Sequence, residues 1–254
     1  MTTRRLGLLF ALLSTSQSAW AGAWARDAGD LYAKVGAGHF SGQANFDDGS
    51  ATLRSTALEL YGEAGLGNGW ELDLSARAAH NRTTKAQTTG LQDLEVVGKY
   101  EPLSGPSALA LLVGTRISLY PRGLDPELGP GGSDLLVGGA WGQGLGAGWV
   151  NVDAVHRFRI GAPSSGLRFR AELGAMGNAP IGGAVTAEYQ PAFGRSGFQA
   201  SAAAPVARAF SVGTKAFTAP TKGGWGLTGD ASWQPTLFND GPGYRFGAGI
   251  VLER

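Results

Sequence analysis

Few side chains in this sequence could carry out chemistry. The chain has no cysteine, which excludes disulfides, thiolate metal sites and a cysteine nucleophile. Its three histidines, His39, His80 and His156, share no i, i+4 or other spacing typical of metal ligands, so we expect no metal and no cofactor. His39 and His80 could activate water together with Asp47 and Asp48, but no Gly-x-Ser-x-Gly motif accompanies them. We therefore expect no catalytic residues and keep hydrolysis as a distant alternative.

Four arginines form the most distinctive group of charged side chains. Arg157 and Arg159, and then Arg168 and Arg170, occupy alternate positions in two segments separated by a short loop. If these segments are paired strands joined symmetrically through residues 161–166, Arg159 lies opposite Arg168 and Arg157 lies opposite Arg170. Like charges directly opposite each other destabilise a sheet. Because two adjacent pairs of arginines would break this rule, we expect them to serve function and not packing. We predict that the four side chains form a basic constriction that attracts anionic solutes or anionic headgroups.

The alternative is that acidic residues neutralise these arginines. Asp134, Glu172 and Glu188 fall on the same or neighbouring predicted strands and face the same side. In that case charges pair across strands and only keep an interior hydrated.

The arginines occupy alternate positions because apolar and polar residues alternate along almost the whole chain after residue 30. In residues 70–78 the even positions are apolar and the odd positions are polar, which is typical of a strand with one face of each kind. Long and short connections alternate along the chain, and strands of about 10–12 residues suit a tilted membrane crossing. The sequence therefore predicts an all-β fold, a closed antiparallel transmembrane β-barrel of about 12 strands. The predicted strands are 30–40, 53–65, 69–81, 91–102, 108–120, 133–143, 149–160, 166–176, 182–190, 206–217, 225–234 and 243–253.

Aromatic residues on the apolar faces of these strands divide into two groups. With both termini in the periplasm, four lie near periplasmic strand ends: Trp70, Tyr100, Trp141 and Trp225. Six lie near extracellular strand ends: Phe158, Phe169, Tyr189, Phe210, Trp233 and Tyr244. Two such belts are typical of a barrel that meets both membrane surfaces. We therefore predict a bacterial outer-membrane protein, with outer-membrane lipid as one partner.

The N-terminus has the three parts of a secretory signal. Arg4 and Arg5 precede the apolar stretch Leu6–Leu13, and Ala19-Trp20-Ala21 forms a small-x-small cleavage site. We expect residues 1–21 to be a cleaved signal peptide for Sec export and residues 22–254 to form a single barrel domain. About ten residues would precede the first strand, which is too few for a plug domain.

Four segments carry a family resemblance: GLQDLEVVGKY at 90–100, SLYPRG at 118–123, LGPGGSDLLVG at 128–138 and NVDAVHRFR at 151–159. In these segments the chain resembles the bacterial outer-membrane barrels of the "MetA-pathway of phenol degradation" family, and the resemblance extends over residues 90–175. The resemblance implies an outer-membrane barrel, often a transporter of small or apolar compounds.

The sequence leaves several functions open. A passive channel or transporter for small molecules, either aromatic and apolar or anionic, is the first interpretation. A structural or surface-interaction barrel with a filled lumen, acting through loops 121–132 and 191–205, is the second. Side chains just fill the interior of an eight-stranded barrel, whereas barrels of 16–18 strands leave an aqueous channel. Twelve strands lie between these cases, so the sequence does not decide whether the lumen is wide enough to conduct. A formal net charge of +1 gives no electrostatic reason to bind nucleic acid. The oligomeric state is not predicted.

Overall fold

The computed structural model describes residues 22–46, 49–120, 128, 132–160, 165–177, 180–190, 192–193, 209–218, 224–235 and 242–254. Residues 1–21, Asp47 and Asp48 lie outside these ranges, as do most of loops 121–132 and 191–205. The signal peptide and the roles of those loops therefore stay predictions.

The described residues form one antiparallel sheet. Its strands are β1 Leu31–Phe46, β2 Gly49–Gly67, β3 Trp70–Arg82, β4 Gln87–Leu103, β5 Ser107–Ser118, β6 Ser133–Gly144, β7 Gly148–Ile160, β8 Ser165–Met176, β9 Ile181–Gln190, β10 Ala192–Phe193, β11 Ala209–Thr218, β12 Trp225–Gln234 and β13 Gly243–Glu253. Each long strand pairs with its neighbours, and β1 also pairs with β13. The sheet thus closes into a barrel of twelve long strands, as predicted, while the two-residue β10 pairs with β8.

The side chains of β3 show how the alternating sequence is used. Leu72 and Leu74 are 41% and 48% exposed on the outer wall, whereas Glu71 is 1% exposed inside the barrel. An apolar outside and a charged inside are what a bilayer requires, and closure leaves no strand edge in lipid. In the part of the chain that the structure describes, no helix is long and apolar enough to cross a membrane.

Short connections mark the periplasmic end of the barrel. The turns at 67–70, 103–107 and 144–148 lie at the end where Leu31 and Arg254 exchange two backbone hydrogen bonds of 2.9 Å. In the first turn Gly67, Asn68 and Gly69 have φ angles of 87°, 53° and 77°, and glycine adopts this left-handed conformation without strain. Outer-membrane barrels place short turns in the periplasm, so the opposite end is extracellular.

The first hairpin is longer than the sequence indicated. β1 and β2 pair as far as Phe46 and Gly49, through the segment 41–52 that the polar composition predicted as a loop. The backbone hydrogen bonds of a hairpin need no apolar face, so the pairing continues beyond the hydrocarbon layer. β4 likewise begins at Gln87, four residues before its predicted start.

Candidate functional site

The first described residues of the chain lie inside the barrel at its periplasmic end. This N-terminal strap, residues 22–30, crosses the inward-facing side chains of β2 to β7. The backbone N–H of Ala25 donates to Glu101 Oε2 over 2.6 Å. Lys99 Nζ donates to the carbonyl oxygens of Gly22 and Trp24 over 3.2 and 3.0 Å. The strap narrows the lumen at this end, whereas the absence of a plug domain stays a prediction.

Arg26 of the strap is held between the two strands that flank β1. Arg26 Nε is 2.5 Å from Glu63 Oε2 on β2, and its Nη1 is 3.1 Å from Glu253 Oε1 on β13. The guanidinium also lies 4.8 Å from the centre of the Tyr32 ring. Burial lowers the pKa of Arg26, but the charge of Glu63 and the hydrogen bonds to both carboxylates outweigh it, so the pKa is raised above its usual value. Arg26 therefore stays charged and holds the strap in place.

Aromatic side chains fill more of the periplasmic end. Trp24 of the strap packs against the buried Ala108, Ala110 and Ala140, and its Nε1 donates to the Gly105 carbonyl over 2.9 Å. A second indole, that of Trp149 on β7, is fully buried and approaches β8 and β11. Trp149 Nε1 donates to Glu172 Oε1 over 3.0 Å, and the Trp149 and Phe217 ring centres are 5.9 Å apart.

The predicted opposition of arginines on β7 and β8 is wrong. Arg170 lies opposite Asp153, Arg168 opposite Val155, and Arg157 opposite Gly166. The true register differs by four residues from symmetric pairing through residues 161–166. Opposite charges directly across a strand pair stabilise a sheet where like charges destabilise it. The structure adopts the register that satisfies the Asp153 carboxylate.

The four arginines have different partners. Arg170 Nε is 2.8 Å from Asp153 Oδ2, and Arg168 Nε is 3.8 Å from Asp153 Oδ1. Arg159 Nε is 2.8 Å from Asp134 Oδ1, and Asp134 also contacts a second arginine, Arg116, on β5. The Nε of Arg157 is buried and has no hydrogen-bond partner among the described residues.

Acidic residues therefore neutralise the arginines in part, as the alternative interpretation expected. Asp134 does pair with Arg159, as that interpretation required. Glu188 lies opposite Arg170 on β9, but Glu172 pairs with Lys215 Nζ at 2.6 Å instead of with an arginine.

Two cavities occupy the lumen above the strap. The larger, of about 560 Å³, is lined among the described residues by five basic and three acidic side chains: Lys34, Arg77, Arg170, Lys215 and Arg245 against Glu59, Glu188 and Asp230. The smaller, of about 250 Å³, lies nearer the periplasm and is lined by three basic and three acidic side chains: Lys99, Arg168 and Arg170 against Asp73, Glu95 and Asp153. Arg170 lines both cavities, so it stands where one meets the other.

Part of the upper cavity wall is apolar. Phe40 and Leu53 line it, together with Leu128 from the connection between β5 and β6. Leu128 is buried in a cluster with Tyr120, Ala57 and Ala79, so this side chain lies in the barrel mouth. The cavity thus presents both basic and apolar side chains to the same space.

The histidines lie on the outside of the barrel. His39 and His80 are exposed on the outer wall, and each Nδ1 contacts a threonine hydroxyl on the adjacent strand: Thr56 at 3.1 Å and Thr89 at 2.6 Å. The ring of His156 lies 4.0 Å from that of Phe158. Asp47 and Asp48 lie outside the described residues, so their proposed cooperation with His39 and His80 stays a hypothesis.

Sequence reasoning missed the strap and the role of Arg26. One signal was available, because Glu63, Glu71, Asp73, Glu101 and Glu253 all fall in the periplasmic half of the predicted barrel. Such an excess of inward-facing acid requires a cation, and Arg26 is the cation nearest the first strand.

Solved structures with the same architecture include outer-membrane channels, porins and the translocator domain of the autotransporter NalP from Neisseria meningitidis. The COG4313 outer membrane channel from Pseudomonas putida F1 superposes with a TM-score of 0.67 at 14% identity, covering 91% of this chain and 98% of that chain. The KdgM porin gives 0.55 at 11% identity, covering 86% and 98%, and the NanC porin gives 0.55 at 12%, covering 87% and 99%. The fold is that of an outer-membrane β-barrel. Together with the apolar outer wall, this fold places the protein in the bacterial outer membrane, surrounded by its lipid.

Sequence comparison adds no family to this result. Neither protein-family models nor curated proteins match the chain. The resemblance to the "MetA-pathway of phenol degradation" barrels therefore stays a prediction.

Proposed function

We propose that the protein is a passive outer-membrane channel for small molecules, with a preference for anions. The observation that carries this proposal is the excess of basic over acidic side chains in the lining of the upper cavity, five against three among the described residues. Two of the five, Arg170 and Lys215, also contact Asp153 and Glu172 outside that lining. A lumen lined by one sign of charge concentrates solutes of the other sign.

The four arginines predicted from the sequence contribute unequally. Arg168 and Arg170 both contact the carboxylate of Asp153 where the cavities meet, and the Nε of Arg168 has no hydrogen-bond partner among the described residues. Arg157 adds a further cation whose Nε has no hydrogen-bond partner in the described part of the chain. Arg159 is held by Asp134 and contributes to the wall of the barrel. We assign the binding of anions to Arg157, Arg168 and Arg170.

The solute we infer is a small organic anion with an apolar part. Phe40, Leu53 and Leu128 give the upper cavity apolar side chains as well as basic ones. The resemblance to a family associated with small or apolar compounds supports the same class. An aromatic carboxylate such as benzoate combines both properties.

The experiment is conductance of the purified protein in a planar bilayer under a salt gradient. We expect a reversal potential that shows anion preference, and we expect benzoate to reduce the chloride current more than acetate does. The variant with Arg168→Gln and Arg170→Gln should lose most of the anion preference while keeping its conductance. Cation preference in the wild type, or unchanged selectivity in this variant, would contradict the proposal.

A filled barrel that acts structurally is the second candidate. It is favoured by the strap and by Trp24 and Trp149, which together occupy the periplasmic end. Absence of conductance in the wild type and in a variant with a released strap would support this function instead.

A further inference from the structure

A group of polar side chains interrupts the apolar outer wall at the extracellular end of β1 to β4. We call it the exterior basic patch. It consists of Arg54, Arg82, His39, His80, Thr56 and Thr89, all exposed on the outside of the barrel. Direct cross-strand neighbours connect them, since His39, Thr56, His80 and Thr89 form one row and Arg54 and Arg82 are adjacent in the next.

The patch lies at the level of the lipid headgroups. Immediately below it the outward row is apolar, with Leu58 and Leu91 more than half exposed. From the periplasmic belt residue Trp70 to His80 the strand rises through ten residues, which at about 3.3 Å per residue and about 40° of tilt is about 25 Å of membrane. This height equals that of the apolar band of such barrels. On the far side of β1, Tyr244 and Phe246 of β13 continue the same level with aromatic side chains.

Arg54 and Arg82 lie directly opposite each other on β2 and β3. Like charges in this position destabilise a sheet. Both side chains are exposed, and neither has an ion-pair or hydrogen-bond partner among the described residues. Arginines directly opposite each other on adjacent strands, which the sequence predicted for the lumen, are thus found on the outer surface instead. Two guanidinium groups held side by side attract an anion.

The two histidines complete a set of donors around the arginines. Each uses Nδ1 towards a threonine, which directs the rest of the ring outwards along the wall. Guanidinium groups bind phosphate oxygens in a bidentate manner, and cations near an anionic membrane surface are attracted to its headgroups. The outer leaflet of the outer membrane supplies phosphates at this depth, on its glycolipid. We propose that the exterior basic patch binds the phosphate groups of an outer-leaflet phosphoglycolipid of the lipid A type.

Native mass spectrometry of the delipidated protein in detergent tests this site. The two probes are lipid A carrying both phosphates and the same lipid after removal of its phosphates, each in the presence of a chelator. We expect the wild type to bind the phosphorylated form about tenfold more tightly or better, from two arginine contacts at the membrane surface. The variant with Arg54→Gln and Arg82→Gln should lose this preference. Equal binding of both lipids by the wild type would overturn the proposal, whether or not the variant folds.

A matched control removes the same charge from the inside of the barrel. The variant with Arg77→Gln and Arg245→Gln loses two lumenal arginines that both contact Glu59. It should keep the preference for phosphorylated lipid A. If it loses the preference as the exterior variant does, the lipid binds elsewhere. Inorganic phosphate at millimolar concentration should not compete, and full competition would show an anion site with no lipid specificity. A dimer that persists without lipid and is lost in the exterior variant would identify the patch as a contact between copies, which also overturns the proposal.

Discussion

Asp153 lies directly opposite Arg170 across β7 and β8, and its Oδ2 accepts a hydrogen bond of 2.8 Å from Arg170 Nε. The other oxygen of the same carboxylate is 3.8 Å from Arg168 Nε. One acidic group therefore contacts two cations at the place where the cavities meet. Removal of the charge on this one carboxylate should therefore affect both arginines.

Replacement of Asp153 by asparagine should make the channel more selective for anions. The change leaves both arginines uncompensated, and loss of the charged partner should lower the free energy of unfolding by about 1–3 kcal/mol. Reversal potentials measure the first effect, and the temperature at which the folded gel band disappears measures the second. Asp153→Glu keeps the charge and serves as the control. Unchanged selectivity in the asparagine variant would show that solutes do not pass this carboxylate.

Arg159→Gln should affect stability and leave selectivity unchanged. Its guanidinium is bound to the fully buried Asp134, which retains only the Arg116 contact after the substitution. The cost of leaving a buried charge partly unpaired is about 1–3 kcal/mol. Comparison with Arg170→Gln in the same bilayer assay checks the assignment. A larger loss of anion preference in Arg159→Gln than in Arg170→Gln would reverse the roles we give to these two residues.

Substitution of Arg26 by glutamine should release the N-terminal strap. Glu63 and Glu253 lose their shared cation, and repulsion between the two carboxylates then opposes the inward position of the strap. We expect a larger single-channel conductance and faster protease cleavage within residues 22–30. Arg26→Lys, which keeps the charge, should behave like the wild type in both measurements. Conductance that does not change when cleavage becomes faster would mean that the strap does not limit the current.

Gly174→Ala should displace the Trp149 indole. A methyl group added at Gly174 would overlap the Trp149 ring, which is packed over the glycine at 1% exposure. The ring would have to leave its hydrogen bond with Glu172, so we expect a lower thermal stability and a shifted near-ultraviolet circular dichroism spectrum. Gly62→Ala is the matched control, because a methyl group there would make only ordinary contacts. Identical spectra for both variants would show that Trp149 is not fixed as described.

The fold could be predicted from the sequence because a barrel wall has only two faces. Leu72 and Leu74 must face lipid and Glu71 must face the lumen, so the alternation itself encodes the architecture. The pairing of β7 with β8 could not be predicted in the same way. Any shift by an even number of residues keeps every side chain on its face, and the choice is then made by a specific contact such as Asp153 with Arg170.

The strap escaped prediction for a different physical reason. Residues 22–30 have no periodic pattern, since they form no strand and follow the lumen wall through individual hydrogen bonds. Their position depends on carboxylates that lie 37 and 227 positions away from Arg26 along the chain. Such contacts become visible only when the barrel is closed in space.

The anchoring of Arg26 also constrains the order of assembly. Glu63 and Glu253 belong to β2 and β13, which stand on either side of β1. Both strands pair with β1 only when the barrel has closed. In an open sheet inserted in the membrane, Arg26 would therefore have only one of its two carboxylate partners beside β1. Protection of residues 22–30 from protease should accordingly be a late event in biogenesis, and it would report completed closure of the barrel.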